Sequence, residues 1–232
     1  IAKDEETDLV FNCKASAVVN ATGVFVDNIL MMDKPGSKKT ICVSQGVHIV
    51  LEKEFYPSDE ALMIPKTSDG RVLFAVPWHH KVVVGTTDTP VDEATLEPQA
   101  LEKEIDFILQ TAGAYLEKKP TRQDVLSVFA GLRPLAAPQK RQQKTKEVSR
   151  SHKIIVSVSK LFTIFGGKWT TYRKMGEDLV NSIEKELGWE PVKCATANLF
   201  IHGYQNNNDW NDPLYFYGSD ANLIREKING NT

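Results

Sequence analysis

Four β-rich runs crowd into the stretch between Thr40 and Asp88, and the shortness of the links between them restricts the fold more than any other feature. The runs are TICVSQGVHIVL (40–51), ALMIP (61–65), RVLFAVPW (71–78) and KVVVGTTD (81–88). Parallel neighbours need a crossover of a dozen or more residues, so runs this close predict hairpins and an antiparallel sheet. A Ser-Asp-Gly turn at 68–70 fits one of the links. From Pro98 to Lys119 the spacing becomes helical, with Leu101, Ile105, Ile108, Leu109, Ala112 and Leu116 on one face and Pro98 suited to the first turn. DVLSVFAGLRPL (124–135) adds a further β run.

The flanks have a different grammar. Ala17 to Val19 is a short apolar run that ends in Asn-Ala-Thr-Gly, and VFVDNILMM then continues at helical spacing. Strand, glycine turn and helix in that order suit an α/β nucleotide-binding domain. Beyond the sheet region, KIIVSVS (153–159) and KLFTIFGG (160–167) look like paired strands. Helical spacing resumes over 169–187 through Trp169, Tyr172, Met175, Leu179, Ile183 and Leu187, and Gly188 is placed to end that helix. After an asparagine-rich linker, YGSDANLIREKI predicts a last helix capped by Ser219 or Asp220.

The expected fold class is therefore α+β: an antiparallel-sheet domain plus part of an α/β nucleotide-binding domain. The expected division is 1–39 for a first piece of the nucleotide-binding domain and 40–130 for the antiparallel-sheet domain. Residues 131–202 are its returning piece, and 203–232 are a linker with the start of a helical domain.

Composition narrows the function classes. A net charge of −2 and a pI near 6.3 give no electrostatic reason for a nucleic-acid partner. The three cysteines, Cys13, Cys42 and Cys194, are widely separated and form no CxxC, which argues against a disulfide framework or a zinc site and for a reducing compartment. No metal site is expected. The start, IAKDEETDLVFNCKAS, reads as a chain cut from something longer.

Four segments carry the chemistry: NATG (20–23), QGVHIVL (45–51), GLRP (131–134) and FGGKWTTYRK (165–174). With GTTD (85–88), GLRPL and GGKWTTYRKM, their order resembles the flavin-dependent glycerol-3-phosphate dehydrogenase and oxidase family, from roughly Ala17 to Leu199 and again in YGSDA (217–221). Val24-Phe25 departs from the family's usual Pro-Trp after NATG. The family also opens with GxGxxG, whose helix holds the FAD pyrophosphate, and no GxGxxG occurs in these 232 residues. The resemblance implies that 40–130 is a substrate-binding (cap) domain and that the flanks are the C-terminal part of an α/β FAD-binding domain; the chain is expected to be an internal piece of the enzyme, unable to retain FAD alone and prone to self-association.

The resemblance implies a substrate, glycerol 3-phosphate, whose phosphate calls for cations, with arginine forks best suited to its oxygens. By position in their motifs, Arg133 and Lys168 match the family's substrate-pocket cations. Arg150 matches through its loop alone, with Arg141 and Lys146 as competitors and a solvated charge run as the plain alternative. His48 matches the substrate-site histidine and is the natural acceptor for the hydroxyl proton, an active-site arginine or water being the alternatives. Catalytic roles are thus expected for His48 and Arg133. His79, His80, His152 and His202 match no motif of the family.

FAD contacts are implied at Gly166, Gly167, Lys168, Trp169 and Thr170, at Ala21, Thr22 and Gly23 opposite, and at Gly131. The parent enzyme is expected to oxidise glycerol 3-phosphate to dihydroxyacetone phosphate and to pass electrons to quinone. It is placed in the cytoplasm, with quinone use implying peripheral attachment at the membrane's cytoplasmic face. An oxygen-using oxidase is the alternative within the family, and an inactive cap or binding module the alternative for the isolated chain. An amino-acid oxidase is disfavoured, because three cations suit a phosphate better than a zwitterion.

Overall fold

The computed structural model describes residues 1–65, 67, 70–136 and 151–230. Ser68 and Asp69 of the expected turn lie outside them, as do Arg141, Lys146 and Arg150. Two compact units are present, Ile1–Leu187 and Gly188–Thr232.

The first unit begins with a small hairpin, β1 (Ala2–Lys3) and β2 (Val10–Phe11). β3 (Val18–Asn20) follows, then a glycine turn and α1 (Val26–Asp33). Buried Asn20 shapes that turn: its Nδ2 donates to the Val26 carbonyl at 3.0 Å, and its Oδ1 accepts from the Thr22 hydroxyl at 2.8 Å.

The expected antiparallel sheet is built from β4 (Ile41–Glu52), β5 (Leu62–Ile64), β6 (Leu73–Trp78), β7 (Lys81–Gly85), β8 (Thr89–Val91) and, after α2 (Glu102–Ala112), β9 (Ser127–Ala136). Strand order is β5-β6-β7-β4-β8, with β9 along the other edge of β4. The long β4 is shared by β7 beside its second half and β8 beside its first. β4 and β9 pair without interruption from Ile41↔Ala136 to Val50↔Ser127.

Side chains alternate across a strand, and here the two faces part cleanly. Val47, Ile49 and Leu51 are fully buried against Ile105, Ile108, Leu109 and Ala112 of α2, with Leu73, Ala75, Val82 and Val84 completing the layer. Burying each such side chain contributes roughly 1.5–3 kcal/mol. The even-numbered residues of β4, Ser44, Gly46 and His48, point the other way.

α2 starts at Glu102 rather than near Pro98. The reason is local: the Glu104 carboxylate accepts the Leu101 backbone N–H at 2.9 Å, which fixes the first turn there.

β10 (His152–Val156) and β11 (Leu161–Gly166) pair antiparallel, and β11 lies parallel to β3 with Thr163 level with Asn20. β11 leads through Gly166 and Gly167 into a short 3-10 turn and α3 (Tyr172–Leu187). Phe162 and Ile164 pack against Leu179, with Met175 and Ile183 alongside. Gly188, at φ +67°, follows α3 as a glycine terminator should.

A seam of Val26, Ile41, Ala136 and Phe165 joins this second sheet to the first. Asp27 of α1 reinforces it, its carboxylate accepting the Thr40 N–H at 2.9 Å and the Thr40 hydroxyl at 2.6 Å. In the second unit the last helix is α4 (Ala221–Gly230). Asp220, just before it, lies 2.6 Å from His202 Nε2.

Candidate functional site

The even face of β4 and the odd face of β9 form one surface. In an uninterrupted antiparallel ladder, directly opposed residues point to the same side. Ser44 opposes Arg133, Gly46 opposes Gly131 and His48 opposes Phe129, so His48 and Arg133 share this face. They sit four residues apart along the ladder, and the long arginine side chain closes part of that gap. Its guanidinium lies directly over Gly46, in the space a β-carbon there would need. Gly85 plays the same part on the other side of β4: a β-carbon at that position would collide with the His48 ring.

The GTTD segment holds the pair. Arg133 donates to the Thr86 hydroxyl at 2.9 Å and to the Thr87 carbonyl at 3.1 Å. The Thr87 hydroxyl accepts the Val47 N–H at 3.0 Å and donates to the Glu104 carboxylate at 2.9 Å. Asp88 accepts a hydrogen bond from Ser44 and pairs with Arg71 at 3.4 Å.

Glu104 is almost fully buried on the α2 side of the sheet, where Gln45 donates to it at 2.7 Å and Thr89 at 2.6 Å. Burial alone pushes its carboxyl pKa up. The hydrogen bonds from Thr89, the Leu101 N–H, Gln45 and Thr87 outweigh that and hold it below 4.5.

His48 is partly buried, with its ring stacked on Phe129 at a centroid distance of 5.1 Å and an interplanar angle of 10°. Burial first, and the positive charge of Arg133 second, hold its pKa below 6.5. The imidazole is therefore neutral near pH 7 and able to accept a proton.

Of the expected cations, Lys168 stands exposed on the Gly-Gly turn, its backbone N–H donating to Thr171 Oγ1 at 3.2 Å. That turn abuts the end of β9: a β-carbon on Gly166 would lie 3.7 Å from Ala136 Cβ. Arg133 is three residues earlier on the strand, roughly 10 Å along it. Arg150 lies outside the described residues.

The glycine turns explain themselves. Gly166 and Gly167 both hold φ near +75°, and a β-carbon on Gly167 would lie 2.5 Å from Met175 Sδ.

These turns also offer the place a dinucleotide would take. NATG leaves the C-terminal end of β3 and Gly166-Gly167 the C-terminal end of the adjacent parallel β11. In open α/β sheets ligands bind beyond the carboxyl ends of the strands. Gly23 faces open space, and Trp169 and Tyr172 are exposed beside the second turn. Thr163, level with Asn20, buries a hydroxyl with no partner among the described residues. Ala21, Thr22, Gly23, Gly166, Gly167, Lys168, Trp169 and Thr170 border this space and could hold a dinucleotide there. Gly131 lies instead on the sheet, opposite Gly46.

Sequence reasoning overlooked Ser44, Thr86, Thr87, Glu104 and Phe129 as parts of the site. Among the described residues no group of three His, Cys, Asp or Glu side chains is arranged to hold a metal, and no helix is long and apolar enough to cross a membrane.

Comparison with known proteins adds an independent line. A family model described as FAD dependent oxidoreductase matches residues 2–169. A probable mitochondrial glycerol-3-phosphate dehydrogenase of Caenorhabditis elegans is 42% identical over 236 residues, covering 98% of this chain and 32% of the relative. The mitochondrial glycerol-3-phosphate dehydrogenase of Bos taurus is 41% identical over 230 residues, covering 96% of this chain and 31% of its own. The chain thus spans about a third of the length of the curated relatives it matches. Among solved structures, glycerol-3-phosphate dehydrogenase from Bacillus halodurans complexed with FAD superposes with a TM-score of 0.81 at 29% identity, covering 99% of this chain and 49% of that one.

Proposed function

We propose that this chain, which belongs to the FAD-dependent oxidoreductase family, is the substrate-facing part of an enzyme that oxidises glycerol 3-phosphate to dihydroxyacetone phosphate. The observation that carries this reading is the placement of Arg133 and neutral His48 on one face of the β4–β9 ladder, with Arg133 clamped by Thr86 and Thr87. The similarity to proteins named glycerol-3-phosphate dehydrogenase supports the choice of substrate.

In this mechanism Arg133 binds the substrate phosphate, and Lys168 adds positive charge from the Gly-Gly turn. His48 accepts the proton of the C2 hydroxyl as the C2 hydride departs, leaving the ketone. FAD, when bound at the two glycine turns, supplies the two-electron acceptor. The exposed start of α3 would supply N–H groups and the positive end of a helix dipole to the bound cofactor.

Quinone is the proposed final acceptor, with peripheral attachment at the cytoplasmic membrane face. Steady-state assays of the whole flavoprotein with glycerol 3-phosphate, using a soluble ubiquinone analogue and then oxygen, test this. Turnover with the quinone and little with oxygen is expected. Efficient peroxide formation would make the protein an oxidase, and no turnover with either would reject the substrate.

A further inference from the structure

We propose that Phe129 is a positioning residue for His48, fixing the plane of the imidazole and walling it off from solvent. The inference rests on the reading of His48 as the proton acceptor, but its geometry stands independently. Phe129 is the direct ladder partner of His48, and the two rings lie within 10° of parallel at 5.1 Å. Offset stacking of this kind is a favoured arrangement of neighbouring aromatic rings. On the other side Gly85 offers no side chain, so the imidazole is confined between the Phe129 ring and the β7 backbone.

Phe129 does little for the core. Its neighbours Val128 and Ala130 face α2, while Phe129 itself points away and stays 49% exposed. Its stretch of β9, Val128 to Ala130, also borders a cavity of about 540 Å³ together with Pro98, Gln99 and Ile105. Removing the Phe129 ring would open the imidazole to water, and burial is the main reason His48 resists protonation.

Among the described residues the charged groups on the same face come from three places. Arg133 comes from β9, Asp88 with Arg71 from the segments around β7, and Glu52 with Lys81 lies at the far end of the β4–β7 ladder. Arg133 opposes protonation, so it does not replace Phe129 in the test that follows.

The test is a histidine-detected NMR titration of the 232-residue chain, wild type against Phe129→Ala and Phe129→Thr, the latter keeping a strong strand former at the edge. The expected result is an upward shift of the His48 midpoint towards 6.5 in both variants, with Phe129→Tyr titrating like wild type. NOEs between the two rings are expected in wild type whatever the variants do. An unchanged midpoint in either folded variant, or missing NOEs in wild type, would overturn the proposal. In the whole flavoprotein, His48→Asn separates the two readings. If it leaves turnover intact while Phe129→Ala still moves the midpoint, the proton-acceptor role fails and the positioning stands.

Discussion

Arg133 and Glu104 never touch, yet Thr87 links them through the sheet: its carbonyl accepts from Arg133 on the site face, and its hydroxyl donates to Glu104 on the helix face. The orientation of the proposed phosphate ligand is thus tied to a buried carboxylate of α2. That link separates what should damage folding from what should damage binding.

Glu104→Ala leaves the donors of Gln45, Thr87, Thr89 and Leu101 without their acceptor. Leaving buried polar groups unpaired costs about 1–3 kcal/mol each where no water reaches them. A loss of about 3 kcal/mol or more is expected in urea unfolding at pH 7. Glu104→Gln, which keeps an acceptor oxygen, should lose less.

The same carboxyl predicts a pH effect. Its folded pKa lies below the unfolded value near 4.5, so its contribution is complete above that value and disappears as pH falls through the depressed one. Wild-type stability should therefore drop between neutral pH and about pH 3 more steeply than that of Glu104→Gln. Parallel slopes would remove Glu104 as the cause.

Gly46→Ala places a methyl group where the Arg133 guanidinium lies. The guanidinium is the far end of a flexible side chain, so the chain should fold and the arginine should swing aside. Inorganic phosphate affinity, measured by calorimetry, is expected to fall about tenfold, the loss of roughly one charge-assisted contact. Unchanged affinity would place the anion site elsewhere.

Asp27→Ala removes the acceptor for the backbone and hydroxyl of Thr40 at the entry to β4. It should cost about 1–3 kcal/mol in thermal unfolding without altering phosphate binding.

Much of this was legible in the sequence. Short links between β runs required antiparallel pairing, and the helical spacing of Ile105, Ile108, Leu109 and Ala112 marked the face of α2 that packs on the sheet. The start of α2 was not legible, because Pro98 suits a first turn and the actual start depends on Glu104 reaching back to Leu101. Glu104 left a trace that went unread: it falls three residues after Leu101 and four before Ile108, so it is a carboxylate on the apolar face of the helix. Thr86, Thr87 and Phe129 depend on the ladder register, which no local pattern encodes. Gly46 and Gly85 likewise need the close approach of a side chain from a neighbouring residue before their lack of a β-carbon has meaning.

The central claim is that Arg133 and His48 form the site where glycerol 3-phosphate is oxidised. Anaerobic stopped-flow reduction of the flavin in the whole enzyme tests it most directly. Glycerol 3-phosphate should bleach the wild-type flavin, whereas Arg133→Ala should need about ten- to a hundredfold more substrate for half-maximal rate. A wild-type flavin that glycerol 3-phosphate leaves oxidised, or an Arg133→Ala enzyme with unchanged substrate dependence, would contradict the account.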